Sequence, residues 1–158
     1  MLKNKILTCQ PFVPRDHAQA TIIPYRAALA MPLPYFRGWV PAGFPSPAAD
    51  WSEEALDLNE LCVEHPAATY FVEVHGDSME GAGIHSGDIL VVDQAIENVV
   101  GRVVLAIVDG AFTVKRLVQQ DHAYYLKAEH PDMPPYPIRE DMELEIRGVV
   151  TWSLHAVR

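Results

Sequence analysis

Cysteine is scarce in this sequence: Cys9 and Cys62 are its two. They lack the close spacing of a metal site, and a disulfide framework would use more of them, so neither kind of cross-link is expected to hold the fold. Such economy fits a reducing compartment. Long apolar runs are missing too. No stretch approaches the roughly 20 residues that cross a bilayer. The opening MLKNKILTCQPF carries lysines ahead of Ile6-Leu7-Thr8-Cys9, a run far below the roughly 7–15 apolar residues of a signal segment. A soluble, cytoplasmic protein without membrane contact is therefore expected. Basic residues are outnumbered, 12 Lys and Arg against 21 Asp and Glu, giving a net charge of −9. That balance argues against a surface that grips phosphate backbones by itself. Any connection to nucleic acid must then run through a protein partner. Internal repeats and low-complexity runs are also absent.

What is present suits one domain with a core and an appendage: 158 residues, 49% of them hydrophobic. The chain divides near Gly43. Residues 1–50 hold many of the 13 prolines and show no sustained period, which predicts an irregular or extended arm. Beyond it, DLNELCVEHP carries a helix signature: Asp57 can cap, Glu60 can complete a capping box, and Pro66 ends the run. The remainder reads as strands, at 69–75, 88–93, 102–108 and 123–129, rich in β-branched and aromatic residues. Asp109-Gly110 between RVVLAIV and FTVKRL is a strong hairpin signal. A proline-rich loop, PDMPPYP, follows. In the last segment Leu144, Ile146, Gly148, Val150, Trp152 and Leu154 share one parity, which predicts a long strand buried on one face. The fold class is mainly β with one short helix.

One short stretch carries chemistry. HGDSMEGAGIHSGD (75–88) places Ser78 among Gly76, Gly81 and Gly83. A hydroxyl becomes a nucleophile only when a neighbouring base takes its proton. His75 and His85 are close in sequence, but positions three apart at a strand end seldom converge, so both are read as surface or structural residues. His17, His65, His122, His130 and His155 show no ligand spacing, and no metal or other cofactor is expected. A lysine serves as base when burial strips its hydration and lowers its pKa. Lys115, inside the apolar strand FTVKRL, is the candidate, although most strand lysines point to solvent.

Taken together, these features resemble the LexA/UmuD-type serine–lysine self-cleaving peptidases. The resemblance rests on GDSM around Ser78, GDILVVD (87–93), the hairpin VDGAFTVKRL with Lys115, and RGVV (147–150). Upstream, AGFPSPAADWSEEALDLNELCVEHPAATYFV (42–72) resembles the UmuD branch most. Ser78 and Lys115 stand 37 residues apart, as in that family. The resemblance runs from about Pro32 to the C-terminus and implies a single signal-peptidase-like β domain, residues 43–158, behind an N-terminal arm, residues 1–42. It implies Ser78 as nucleophile, Lys115 as general base, and a scissile bond between Ala42 and Gly43. The small residues agree with this, since Gly43 has no Cβ to obstruct a close approach. Ala42 stands where UmuD has cysteine, and the arm is longer.

For partners, the resemblance implies a homodimer, a RecA filament on single-stranded DNA that provokes the cut, and a UmuC-like Y-family DNA polymerase subunit that receives the shortened form. Two other functions share this chemistry. A LexA-type or phage-type repressor would need a helix-turn-helix module ahead of the cut, for which residues 1–42 lack length and periodicity. Type I signal peptidases have a related Ser-Met and Lys-Arg arrangement but work at a membrane, and no anchor is visible.

Overall fold

The computed structural model describes residues 30–37, 42–43 and 52–157. Strands β1 (Leu33–Arg37) and β2 (Ser52–Leu56) form a small antiparallel pair. Helix α1 (Leu58–Cys62) follows, then β3 (Thr69–Glu73), β4 (Ile89–Asp93), β5 (Val103–Val108), β6 (Ala111–Gln120), β7 (Ala123–Lys127), β8 (Tyr136–Pro137) and β9 (Leu144–Leu154). The last seven strands make one sheet in the order β3-β4-β9-β5-β6-β7-β8, with antiparallel neighbours throughout. The expected mainly β fold with one short helix is what forms.

Local chemistry accounts for most boundaries. Asp57 caps α1 by accepting the Asn59 N–H at 2.8 Å. β5 and β6 join through Asp109-Gly110, both at positive φ (48° and 84°), as a two-residue hairpin turn whose twist matches the strands requires. β6 and β7 join the same way through Asp121-His122, at 49° and 65°. That second turn lacks a glycine and carries no comparable sequence signal.

Apolar residues alternate along β5 and feed two cores. Val104 and Ala106 pack in one buried cluster with Leu117, Leu126, Ile146 and Val149. Leu105 packs in the other with Leu90, Val92, Val114, Met79 and Ile84. Burying each large aliphatic side chain contributes about 1.5–3 kcal/mol. The second cluster matters most for function, because Met79 and Ile84 come from the Ser78 loop rather than from a strand.

Residues 1–50 are expected to form an irregular or extended arm, and within it Leu33–Arg37 is an extended strand that pairs in register with Ser52–Leu56. Pro34 and the glutamates of SEEAL disfavour strand individually, so pairing with the neighbour supplies what propensity does not. Ala42 and Gly43 lie between these strands in the sequence; most of the proposed 1–42 arm lies outside the described residues. The last strand corrects its expectation: it is not buried on a single face. Its register shifts against β5 between Leu105 and Ala106, and against β4 between Val91 and Val92. Each shift lets an extra β9 residue bulge and reverses the alternation. Val149 therefore joins Leu144 and Ile146 in the first core, while Trp152 and Leu154 are each 42% exposed. Gly148 sits at the crowded crossing, where a Cβ would lie 2.6 Å from Val92 Cγ1 and 3.0 Å from the Asp93 carbonyl oxygen, at a φ of +152°. Only glycine fits there.

Candidate active site

β3 ends at Glu73 and the chain turns through Gly76 (φ +106°) into the Ser78 loop. Met79, 2% exposed, plugs into the core and fixes the residue before it. A 3-10 turn at Glu80–Ala82 follows, and Gly83 closes it at φ +75°. The Ala82 and Ile84 N–H groups both donate to the Met79 carbonyl, at 2.9 and 3.3 Å. From the far side, Gly81 N–H donates to the Glu129 carbonyl at 2.8 Å. That approach is so close that a Cβ on Gly81 would lie 2.6 Å from the same oxygen. Ser78 is thus held by buried anchors and backbone bonds while remaining half-exposed itself.

Lys115 reaches this serine from the middle of β6. Its Nζ lies 2.7 Å from Ser78 Oγ and donates to its neighbour's carbonyl, Val114 O, at 2.9 Å. Burial pushes the lysine pKa below its ordinary value of 10.5, because a desolvated ammonium is disfavoured against the neutral amine. Beside it, Arg116 is fixed by two partners: its Nε donates to Glu129 at 2.5 Å and its Nη1 to the Gly101 carbonyl at 2.8 Å. The hydrogen bond from Arg116 holds the Glu129 carboxyl below its ordinary range despite burial. Glu129 therefore braces both halves of the site, taking Gly81 of the serine loop on its backbone and Arg116 of the lysine strand on its side chain. Sequence reading did not single out Arg116 or Glu129, since neither spacing nor residue type sets them apart.

Among the described residues, the backbone N–H groups of Ser78 and Met79 donate to no other group. Two unengaged N–H groups beside a nucleophile can receive charge that develops on an attacked carbonyl oxygen. An amine next to a hydroxyl, in a partly desolvated place with such donors, suits acyl transfer. Among the described residues, no histidine is hydrogen-bonded to Ser78 or Lys115. His75 is exposed beside Glu73, at 3.6 Å, and His85 lies near Asp88 instead. His65 pairs with the buried Asp93 at 2.7 Å, bracing the exit of α1 against the end of β4. Ala42 and Gly43 form an exposed bend, and a Cβ added to Gly43 would meet nothing within 4 Å.

Residues 34–151 match the family described as Peptidase S24-like. The chain belongs to that family. An S24-like chain is a self-cleaving serine peptidase, so the hydroxyl and amine above lie in a peptidase scaffold. Protein SamA of Salmonella typhimurium is 47% identical over 137 residues, a match covering 87% of this chain and 95% of SamA. Protein MucA of Escherichia coli is 46% identical over 123 residues, 77% of this chain and 84% of MucA. Protein ImpA of Escherichia coli is 42% identical over 125 residues, 79% of this chain and 85% of ImpA. These UmuD-like S24 relatives match along nearly their whole length. They favour the self-cleaving SOS-mutagenesis reading over a repressor carrying a separate DNA-binding domain. No helix among the described residues is long and apolar enough to cross a membrane.

Proposed function

We propose that this S24-like chain cuts its own Ala42–Gly43 bond, with Ser78 as nucleophile and Lys115 as general base. The observation that supports the assignment is the 2.7 Å contact between Lys115 Nζ and Ser78 Oγ. Neutral Lys115 takes the hydroxyl proton as Ser78 Oγ bonds to the Ala42 carbonyl carbon. The carbonyl oxygen becomes an oxyanion held by the Ser78 and Met79 N–H groups. Collapse of that intermediate breaks the Ala42–Gly43 bond, and the Lys115 ammonium returns its proton to the departing Gly43 amine. Water, deprotonated by Lys115, then releases Ala42 from the ester. The exposed, uncrowded bend at Ala42–Gly43 must move onto Ser78 before any of this occurs, which leaves room for a RecA filament to accelerate the step by stabilising the docked loop.

Cutting leaves residues 1–42 attached through non-covalent contacts alone. Among the described residues, the contacts that hold the arm include the five paired residues of β1 and β2, the Met31 N–H to Asp57 Oδ2 bond at 2.6 Å and the exposed Arg37–Glu54 pair. A two-stranded pair of this length is marginal in water and an exposed ion pair adds little, so the arm should leave. The shortened 43–158 form then serves a UmuC-like Y-family polymerase in lesion bypass in the cytoplasm. Homodimerisation draws support from apolar surface on the β3-β4-β9 end of the sheet, where Phe71 (56% exposed) and Trp152 flank the buried Val91 in register. No sequence-specific DNA contact is part of this reading, in keeping with the net charge of −9.

Incubation with RecA, an ATP analogue and single-stranded DNA is expected to release a fragment beginning Gly43-Phe44-Pro45, read by intact-mass or N-terminal analysis. A different start, or an uncut chain, overturns the assignment of the bond. The purified 43–158 form is expected to copurify with its polymerase partner and to leave duplex DNA unprotected in footprinting. A sequence-specific, nanomolar footprint by the full-length chain would move the reading to a repressor.

A further inference from the structure

A second cluster lies on the turn that follows the Ser78 loop. Asp88, just before β4, has a side chain 1% exposed. Its Oδ2 accepts the His85 N–H and the Ser153 hydroxyl, each at 2.8 Å, and its Oδ1 lies 2.6 Å from His155 Nδ1. The two imidazoles lie over this carboxyl with ring centroids 5.0 Å apart, their side chains 48% and 52% exposed. His155 and Asp88 are 67 residues apart in sequence. The expectation that the histidines lack ligand spacing was therefore blind to this meeting.

We propose that His85, Asp88 and His155 bind a divalent transition-metal ion of the zinc class. One ligand atom from each residue lies within 4.8 Å of the others. Ligand atoms on a tetrahedral zinc stand roughly 3.3–3.5 Å apart, given metal–ligand lengths of about 2.0–2.2 Å. Binding requires the 2.6 Å His155 Nδ1–Asp88 Oδ1 hydrogen bond to open, the metal taking the place of the proton, and the two half-exposed rings to turn towards it. The carboxylate need not move, since Ser153 and the His85 backbone already orient it, as outer-shell donors orient metal ligands. Two nitrogens and one oxygen suit zinc, cobalt or nickel, whereas magnesium and calcium demand oxygen throughout. The exposed side of the rings leaves a position for water and a path of entry.

A purely structural role explains less. Asp88 is satisfied without the His85 ring, which stays 3.8 Å from Oδ2, beyond hydrogen-bond reach. An imidazole parked beside an already satisfied, buried carboxylate has the position of a ligand rather than a brace. A bound ion would clamp the end of β9 to the 85–88 turn. That turn is tied to the strand entering the Ser78 loop by Gly87 N–H to Val74 O (2.7 Å), Val74 N–H to Asp88 O (3.0 Å) and Gly76 N–H to Ser86 Oγ (3.2 Å).

The test uses full-length Ser78→Ala protein, which keeps the chain in one piece, titrated with cobalt(II) in the visible and with zinc(II) by calorimetry. One equivalent should bind and give ligand-field bands of a four- or five-coordinate site. His85→Ala and His155→Ala should each weaken binding at least about tenfold, with unchanged circular dichroism. Zinc should also raise Tm over a chelator control, and the double histidine variant should lose that rise. Absence of binding up to millimolar metal overturns the site. So does an equivalent that persists in the double variant, or thiolate charge-transfer absorption locating the metal on cysteine.

Discussion

Ser78→Ala and Lys115→Ala are each expected to leave the chain uncut, both with RecA filaments and in alkaline buffer without them. Loss of a nucleophile or of its base commonly costs on the order of 10⁴–10⁶ in rate, and removing the second member adds little, because the two act as a unit. Densitometry of intact chain against the 43–158 product over hours is sufficient to see it. Folding should survive both changes. Among the described residues, the Ser78 side chain makes one hydrogen bond, with Lys115, while its loop is held by Met79, Ile84 and the Gly81–Glu129 backbone bond.

Lys115 weighs against stability rather than for it. Its folded pKa lies below the unfolded value near 10.5, so between the two the unfolded chain binds more protons. The burden is present in full below the folded pKa and is relieved as pH rises towards 10.5. Lys115→Met, which keeps the apolar stem, should therefore match or exceed wild-type Tm at pH 7 while being inactive. A variant that is inactive because it is unfolded would fail that comparison. Continued cleavage by either Lys115 variant would falsify the choice of base. His75→Ala should cut normally, its ring being exposed beside Glu73.

The rate of unassisted self-cleavage should climb with pH, about tenfold per unit while Lys115 is mostly charged, and flatten at its lowered pKa. The sign follows from the chemistry, since the base works only when neutral and burial enlarges the neutral fraction below the ordinary lysine pKa. RecA-stimulated cutting should be faster at pH 7 and less steep, to the extent that docking the loop dries the amine further and lowers its pKa again. A histidine base would give a different curve, levelling above about pH 7.5, because unperturbed imidazole titrates near ~6.5. Single-turnover rates measured on gels from pH 6 to 10.5, with Ser78→Ala as blank, separate the two. A plateau at neutral pH means that the base is not this lysine.

Much of the protein was legible in its sequence, and for local reasons. Strand runs bounded by Gly or Asp, the Asp109-Gly110 turn and the Asp57 cap each depend on residues within a few positions of one another. Such signals survive translation into structure because little outside the segment competes with them. The pairing of Ser78 with Lys115 was readable through the resemblance to a family of fixed spacing, and not from either residue alone. Tertiary structure decided the rest. β1 and β2 exist because each completes the other, against their own composition. Bulges on β9 reversed its burial pattern, which no alternation rule can foresee from one strand. Arg116 and Glu129 became braces only when β6 and β7 set them side by side. His155 met Asp88 only because β9 runs antiparallel to β4, bringing its end back to the turn where β4 begins. Contacts of that kind join residues far apart in the chain, and their energy appears only once the backbone between them has been folded and its entropy lost.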